Sequence, residues 1–370
     1  MFLKGKNKFI FISAIIFIVL YIFLAARNTG TEIRFIPIWT ASITEENTFN
    51  KPAKEVSADT AEEKDFLGKK PLLFILGNRF GFFSEDGTIL RTENFTERIS
   101  ASSYAWAQYG TKSVSTDIYS PEGKKLLTVN RAGYIHLDDD RIYLFEPGGN
   151  SVCKYGTDGR LLWRFSHTAA ITAFNSSAAG SVIGYSDGKF IYLDNSGNTV
   201  FTFYPGGSNY QVILGAALSE DGKKAFCICG TEPQRVILIN IAGTHYKIVH
   251  HAYLKNNSYE RLFSSFDPAG EFAVFESADG IGIIDCEKLK ISFINGSGKI
   301  LGVGSYPKEN LLTVLLQNEN KCTLIAAYPP DSVIGKTEFN SENSFLTQNG
   351  NKVYIGIDAK IIALEIQGVK

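Results

Sequence analysis

Residues 170–204 read AITAFNSSAAGSVIGYSDGKFIYLDNSGNTVFTFY. Four runs rich in Val, Ile, Phe, Tyr and Leu lie at 170–174, 181–185, 189–194 and 198–204. The polar clusters between them contain the Asp, Asn and Gly residues that supply the positive φ of a tight hairpin, as in Ser186-Asp187-Gly188 and Asn195-Ser196-Gly197. The segment therefore predicts four short antiparallel strands joined by turns.

The same kind of turn recurs along the chain at a nearly constant interval. Its glycines are Gly87, Gly123, Gly159, Gly197 and Gly243, spaced 36, 36, 38 and 46 residues apart. A period of this length with about four strands per repeat is typical of a β-propeller. The chain is therefore predicted to be all-β, with four-stranded blades arranged in a ring. Two stacked sandwiches would not explain so even a period.

The other repeats extend this prediction to both ends of the chain. Further blades are predicted at 98–130, 133–166, 211–251, 260–295 and 299–339. Residues 71–93 and 343–366 provide only three strands each, and the apolar run 32–39 can complete the last blade. This favours eight blades, closed by pairing the first strand with the last, which removes an open sheet edge. Seven blades is the alternative. The 32–39 run, which contains Pro37 and Trp39, could instead be a juxtamembrane belt.

An uninterrupted apolar run lies near the N-terminus. Residues 9–26 carry no charge, and eighteen residues of helix measure about 27 Å, close to the hydrocarbon thickness of a bilayer. Lys4, Lys6 and Lys8 precede the run, which predicts a cytoplasmic tail 1–8 and an exported remainder. The expected organisation is a transmembrane helix 9–26, an extracytoplasmic linker 27–66 and a propeller 67–370, in a cell membrane. A cleaved signal peptide is the alternative, although its apolar region is usually shorter.

Composition narrows the classes of function. The chain has 370 residues, 37 Lys and Arg, and 38 Asp and Glu, so its net charge is -1. A nucleic-acid-binding protein would usually show a basic excess, so no nucleic-acid partner is expected. Five Cys are too few for a disulfide scaffold in a chain of this length.

Three hairpins resemble known propeller repeats. Gly159-Arg160-Leu161-Leu162-Trp163 is similar to the Gly-x-Leu-Leu-Trp hairpin of quinoprotein-like (PQQ-like) repeats. The segments 218–225 and 266–273 are similar to the Ser-Pro-Asp-Gly-Lys turn of WD40-like and TolB-like propellers. The resemblance implies a propeller fold. It assigns no functional residue, because these motifs describe turn geometry.

Candidate catalytic and metal-binding groups are scattered along the sequence. Cys227 and Cys229 point to one face of a predicted strand and are expected to be buried, because no second pair of zinc ligands is suitably spaced. The histidines His245, His250 and His251 and the acidic run 138–140 could ligate a metal. We favour polar surface and turn positions for them. Gly335-Lys336-Thr337 lacks the first glycine of a phosphate-binding loop. No catalytic, cofactor-binding or metal-binding residue is therefore assigned.

The sequence favours a membrane-anchored extracytoplasmic propeller that binds protein partners through its face loops, as a scaffold without catalysis or cofactor. One alternative is a propeller hydrolase or lyase with its active site at the channel mouth. Another is an envelope or outer-membrane protein assembly factor, by analogy with quinoprotein-like propellers of that role.

Overall fold

The computed structural model describes residue 17, residues 32–43 and residues 69–369, and all strands and contacts given below lie among them. These residues contain 31 strands in eight sheets, seven of four strands and one of three. The predicted tail 1–8, the transmembrane helix 9–26 apart from residue 17, and most of the linker 27–66 lie outside the described residues. Within them, no helix is both long and apolar enough to cross a membrane.

Most sheets are built from four consecutive strands, and the first strand of the chain, β1 (Glu32–Ser42), is the exception. Blade 1 consists of β2 (Leu72–Leu76), β3 (Arg79–Phe83) and β4 (Ile89–Asn94). Blade 2 consists of β5 (Arg98–Ala101), β6 (Trp106–Tyr109), β7 (Thr116–Tyr119) and β8 (Lys125–Val129). Blade 3 consists of β9 (Tyr134–Asp138), β10 (Arg141–Phe145), β11 (Ser151–Tyr155) and β12 (Leu161–Ser166). Blade 4 consists of β13 (Ile171–Ser177), β14 (Gly180–Tyr185), β15 (Phe190–Asp194) and β16 (Thr199–Phe203).

The second half of the chain repeats this arrangement. Blade 5 consists of β17 (Tyr210–Leu218), β18 (Lys224–Thr231), β19 (Arg235–Ala242) and β20 (His245–Tyr253). Blade 6 consists of β21 (Ser264–Phe266), β22 (Phe272–Ser277), β23 (Gly280–Asp285) and β24 (Lys290–Ile294). Blade 7 consists of β25 (Lys299–Tyr306), a 3₁₀ helix (Pro307–Glu309), β26 (Leu311–Asn318), β27 (Lys321–Tyr328) and β28 (Ser332–Asn340). Blade 8 consists of β29 (Ser344–Asn349), β30 (Lys352–Ile357), β31 (Lys360–Val369) and β1.

The chain thus forms an all-β propeller of eight blades, and the seven-blade alternative is wrong. Two compact units are distinguished, residues 37–365 and residues 1–36 with 366–370. The first contains nearly all of the eight sheets. The described part of the second consists of residue 17, the first residues of β1 and the last residues of β31.

The hydrophobic core lies between neighbouring blades. One cluster joins blade 4 to blade 5 and includes Phe190, Phe201 and Ile237. Comparable clusters join blade 2 to blade 3, blade 5 to blade 6 and blade 6 to blade 7. Successive side chains along a strand therefore enter the cores on the two faces of its sheet in turn. Both faces are apolar, which explains why short apolar runs dominate the sequence.

The outermost strand of several blades packs on the last hairpin of the next blade. The indole N–H of Trp163, in β12, donates to the carbonyl of Asn195, at 3.2 Å. A Cβ placed on Gly197 in that hairpin would be 2.5 Å from Cγ of Trp163, and Gly197 has a φ of +82°. Glycine is required here both by the backbone conformation and by the indole.

Residues spaced 36 apart repeat this contact in the preceding blades. Arg91, in β4, lies against Gly123 and donates from Nη1 to the carbonyl of Glu122, at 3.0 Å. Leu127, in β8, lies against Gly159. Arg91, Leu127 and Trp163 are therefore equivalent positions, and the glycine period seen in the sequence reflects contacts between blades as well as turn geometry.

The ring is closed by β1, which pairs with β31 as the fourth strand of blade 8. Trp39 contacts the rings of Tyr354 in the same blade and Phe83 in blade 1, with centroids 5.9 Å and 6.2 Å away. Ile43 is 2% exposed, and its N–H donates to the carbonyl of Ala359 at 2.8 Å. The prediction of a closing strand is confirmed, and the belt interpretation of 32–39 is wrong.

Candidate functional site

The innermost strands of blades 3 to 7 surround a cavity of about 450 Å³. Because these strands come from five sheets, the cavity lies in the central channel of the ring. Its volume is within the range of small-molecule sites, roughly 300–1,000 Å³. The polar side chains lining it belong to His136, Asp138, Asn175, Ser176, Arg261, Ser264, Glu276 and Lys299.

Arg261 is the central cation of this channel cavity. It lies in the connection that leads into β21, and its Nη2 donates to the carbonyl of Phe174 in blade 4, at 3.2 Å. The side chain is accessible from the cavity, yet the surrounding protein lowers the pKa of the guanidinium by desolvation. The arginine therefore bridges two blades and presents its remaining N–H groups to the cavity.

A second group of polar residues lies at the ends of β9 and β13. The carboxylate of Asp138 accepts hydrogen bonds from Ser176 and from Nη2 of Arg141, the latter at 3.1 Å. Arg141 also donates from Nε to Ser176 Oγ, at 3.3 Å. These contacts tie blade 3 to blade 4, and both hydrogen bonds to Asp138 are accepted by the same carboxylate oxygen, Oδ2.

His136 lies beside this group, with its ring 5.6 Å from that of Phe174 in an edge-on arrangement. Burial lowers the pKa of the imidazole, an effect that nearby Asp138 opposes. The ring is consequently neutral at physiological pH, and it supplies one hydrogen-bond donor and one acceptor.

Glu276 and Lys299 line the cavity on blades 6 and 7. Burial raises the pKa of the Glu276 carboxyl, which accepts a hydrogen bond from the N–H of Ile300 at 3.3 Å. Lys299 forms an ion pair with Glu260, at 2.7 Å. Each charge on this side of the cavity therefore already has a partner.

The described contacts do not assemble an activated serine in this cavity. Ser176 donates directly to a carboxylate, and no hydrogen bond links it to His136 within the described residues. Catalysis by an activated serine requires a base within hydrogen-bond reach of the hydroxyl. No group of three or more His, Cys, Asp or Glu in the described part of the chain is placed to hold a metal.

The residues singled out in the sequence do not converge. Cys227 and Cys229 are both buried in β18, within the core between blades 4 and 5, as predicted. His250 is half-buried and His251 exposed on β20, and neither belongs to the cavity lining. Asp139 and Asp140 form the turn between β9 and β10, whereas Asp138 faces the cavity. The acidic run 138–140 therefore lies partly in the cavity lining and partly in a turn, and no local sequence pattern indicated this difference.

A second candidate surface lies at one end of blades 4 and 5 and in the loop that follows blade 5. It carries four exposed tyrosines, and we call it the tyrosine face. The exposed fractions are 54% for Tyr204, 63% for Tyr210, 56% for Tyr253 and 69% for Tyr259.

Hydrogen bonds hold the loops of the tyrosine face together. Ser208 Oγ donates to the carbonyl of Pro233 at 2.6 Å, and Gln234 Nε2 donates to the carbonyl of Ser258 at 3.0 Å. Arg235 donates from Nη2 to the carbonyl of Pro205 at 2.9 Å, and its guanidinium lies 5.6 Å from the ring centroid of Tyr253. The tyrosines therefore project from ordered loops.

Comparisons with known proteins agree with this architecture. A family model described as "beta-propeller protein" matches residues 1–370. A relative from Treponema pallidum (strain Nichols), titled only "Uncharacterized protein", is 39% identical over 368 residues, which cover 99% of this chain and 96% of the relative.

Two solved structures share the fold at low sequence identity. BamB from Moraxella catarrhalis superimposes with a TM-score of 0.59 and 11% identity, over 90% of this chain and all of that one. The computationally designed Ika8 protein gives a TM-score of 0.56 and 11% identity, over 80% of this chain and 96% of that one.

Proposed function

Since the chain belongs to the beta-propeller protein family, we propose that it is a binding module whose protein partner docks on the tyrosine face. The exposure of four tyrosines on hydrogen-bonded loops is the observation that carries this proposal. Tyrosine supplies a large contact area with few rotatable bonds and a polar tip, which is why it is enriched at protein interfaces. The Gly, Ser and Asn residues of the same loops provide adaptable hydrogen bonding.

The order of these loops supports the same function. A partner that docks on ordered loops loses little entropy in fixing them, so more of the contact energy contributes to affinity. Arg235 is important for this order, because it joins the loop after blade 4 to the last strand of blade 5. Its contact with Tyr253 also leaves a cation beside the exposed ring.

We place this module outside the cytoplasm, anchored by residues 9–26. The apolar length of that run and its preceding lysines support the placement. In such a location, the tyrosine face would meet partners in the cell envelope. If the partner is an outer-membrane protein, the chain is an assembly factor of the envelope, which was one of the alternatives drawn from the sequence.

Site-specific photo-cross-linking in native membranes tests the proposal. A photoreactive phenylalanine analogue replaces Tyr210 or Tyr259 in the full-length chain. Tyr246 serves as the matched control, because it lies on the same blade, beside the β19–β20 turn at the opposite end, and is 40% exposed. We expect one partner, identified by mass spectrometry, to be captured from both tyrosine-face positions. Replacing Tyr253 with Ser should reduce its yield, and equal capture from position 246 would contradict the proposal.

A hydrolase or lyase at the channel mouth is the second candidate function. The channel cavity favours it by bringing His136, Asp138 and Arg261 together. In that case turnover of an ester, glycoside or phosphoester would be lost in His136→Ala. The same variant would leave cross-linking at Tyr210 and Tyr259 unchanged, so the two functions are separable.

A further inference from the structure

The Arg261 guanidinium has no anionic partner among the described residues. Its one hydrogen bond goes to the backbone carbonyl of Phe174, and desolvation is the sole influence on its pKa. Arg261 is an exposed residue of the cavity lining, so a guanidinium without a counter-charge is available there to pair with an anion. The cavity beside Arg261 is where such a ligand would lie.

The other charges of the channel cavity are already engaged. Asp138 is held by Arg141 and Ser176, and Lys299 by Glu260. Glu276 accepts from the backbone of Ile300. Arg261 is therefore the group left to recognise an anion.

Apolar side chains form the rest of the lining. Phe174 and Leu262 are 7% and 4% exposed, and Phe263 and Ile300 complete this wall. An arginine at the edge of an apolar wall favours a ligand that has one anionic end and an apolar body. A guanidinium pairs with a carboxylate through two parallel hydrogen bonds, which makes this anion the best match in geometry.

We propose that the channel cavity binds a small organic monocarboxylate, with its carboxylate on Arg261 and its apolar body against Phe174 and Leu262. A doubly charged anion such as phosphate is disfavoured. It would meet one available guanidinium while lying near the carboxylates of Asp138 and Glu276. Arg261 shares the connection between β20 and β21 with Tyr259, but the inference does not rest on partner docking.

Isothermal titration of benzoate into the full-length chain, purified in a non-ionic detergent, tests the proposal. Benzamide has nearly the same shape without the charge, and inorganic phosphate has charge without an apolar body. We expect benzoate to bind measurably and both comparison compounds to bind at least about tenfold more weakly. A hydrogen bond between charged groups contributes more to binding than one between neutral groups. Absence of benzoate binding at 10 mM would overturn the proposal.

Two variants locate the site. Arg261→Gln should weaken benzoate binding by about tenfold or more. Lys321→Gln is the control, because it removes an exposed cation that is ion-paired with Glu338 outside the cavity lining, and it should change benzoate affinity by less than about threefold. Thermal melting without ligand verifies that each variant is folded. If Arg261→Gln does not fold, Arg261→Lys keeps the charge but loses the paired donors, and it should also bind benzoate more weakly. Unchanged affinity in either Arg261 variant would exclude this site.

Tyrosine-face variants separate this inference from the proposed function. Tyr204→Ser and Tyr210→Ser, which lie at the ends of the loop between blades 4 and 5 and not on the Arg261 connection, should bind benzoate as the unmodified chain does. Loss of benzoate affinity in both would contradict the assignment of the ligand to the channel cavity.

Discussion

Trp39 and Gly87 lie in contact across the junction of the last and first blades: a Cβ built on the glycine would be 2.8 Å from Cδ2 of the indole. The indole N–H also donates to the carbonyl of Glu85, at 3.0 Å. Trp163 makes the same pair of contacts with Gly197 and Asn195 between blades 3 and 4. The closing strand therefore joins the ring through the same contact that the internal blades use.

Removal of the Trp39 side chain should weaken this closure. We expect Trp39→Ala to lower the free energy of unfolding by about 2–4 kcal/mol, since it leaves a cavity between Phe83 and Tyr354. Ile38→Ala, on the same strand at a site 45% exposed, should cost less than about 1 kcal/mol. Denaturant unfolding of the full-length chain measures both values. Equal destabilisation would mean that the indole does not contribute to closure.

Alanine substitutions at two glycines with positive φ should distinguish the cost of backbone strain from the cost of a steric overlap. Gly197 and Gly206 have φ of +82° and +60°, but a Cβ on Gly206 would meet nothing within 4 Å. Gly206→Ala should therefore cost about 1 kcal/mol of strain. Gly197→Ala should cost a further 1–3 kcal/mol or so, because its Cβ would overlap the Trp163 indole. The prediction is contradicted if the two variants melt at the same temperature.

The turn of blade 1 should contribute to acid sensitivity. The hydroxyl of Ser84 and the N–H of Thr88 donate to the Asp86 carboxylate, and they hold its pKa well below its usual range. Because this pKa is lower in the folded than in the unfolded chain, the unfolded chain binds more protons. The free energy of unfolding therefore decreases as the pH is lowered. The unfolded pKa of an aspartate is about 4. Well above that pH the Asp86 carboxylate makes its full contribution to stability, and this contribution is lost as the pH falls through the folded pKa.

Asp86→Asn isolates this effect. The variant should be less stable than the unmodified chain at pH 7, and the difference should shrink as pH falls below about 4. Glu122→Gln is the matched control, at the equivalent turn position of blade 2, where the carboxylate accepts no hydrogen bond from the described residues. Melting temperatures between pH 2 and pH 7 provide the comparison. A gap between Asp86→Asn and the unmodified chain that stays constant with pH would argue against the assignment.

The proposed topology predicts the side of the membrane on which the C-terminus lies. A reporter that is active only outside the cytoplasm, fused after Lys370, should be active, whereas the same reporter fused after Lys8 should be silent. Changing Lys4, Lys6 and Lys8 to Glu should lower the activity of the C-terminal fusion. If only the Lys8 fusion were active, the topology would be the opposite of the one proposed.

The sequence was sufficient to predict the blades because each is a local unit. Turn residues such as Asp194 and Gly197 specify a hairpin within a few residues, and apolar alternation specifies the strands around it. The closing strand also followed from counting strands at the two ends. These features depend on short-range geometry, which a single sequence records directly.

The channel cavity could not be predicted in this way. His136, Phe174 and Lys299 come from three different blades, and they meet Arg261 only when those blades pack together. None of them belongs to a local motif, and Arg261 lies in a connection between blades. The sequence pattern indicated His250 and the acidic run 138–140 as candidate metal ligands. In the folded chain their side chains do not converge.

The closing strand also determines when the fold can be completed during synthesis. β1 ends at Ser42 and its partner β31 begins at Lys360, so more than three hundred residues must be translated before the two can pair. At roughly 5–20 residues per second, this takes about 15–60 s. Throughout that interval the β1 segment lacks the strand with which it pairs in the folded ring, and unpaired strands are prone to pair with other chains. Completion of the ring is therefore a late step, since the first strand has to wait for the last one to be made.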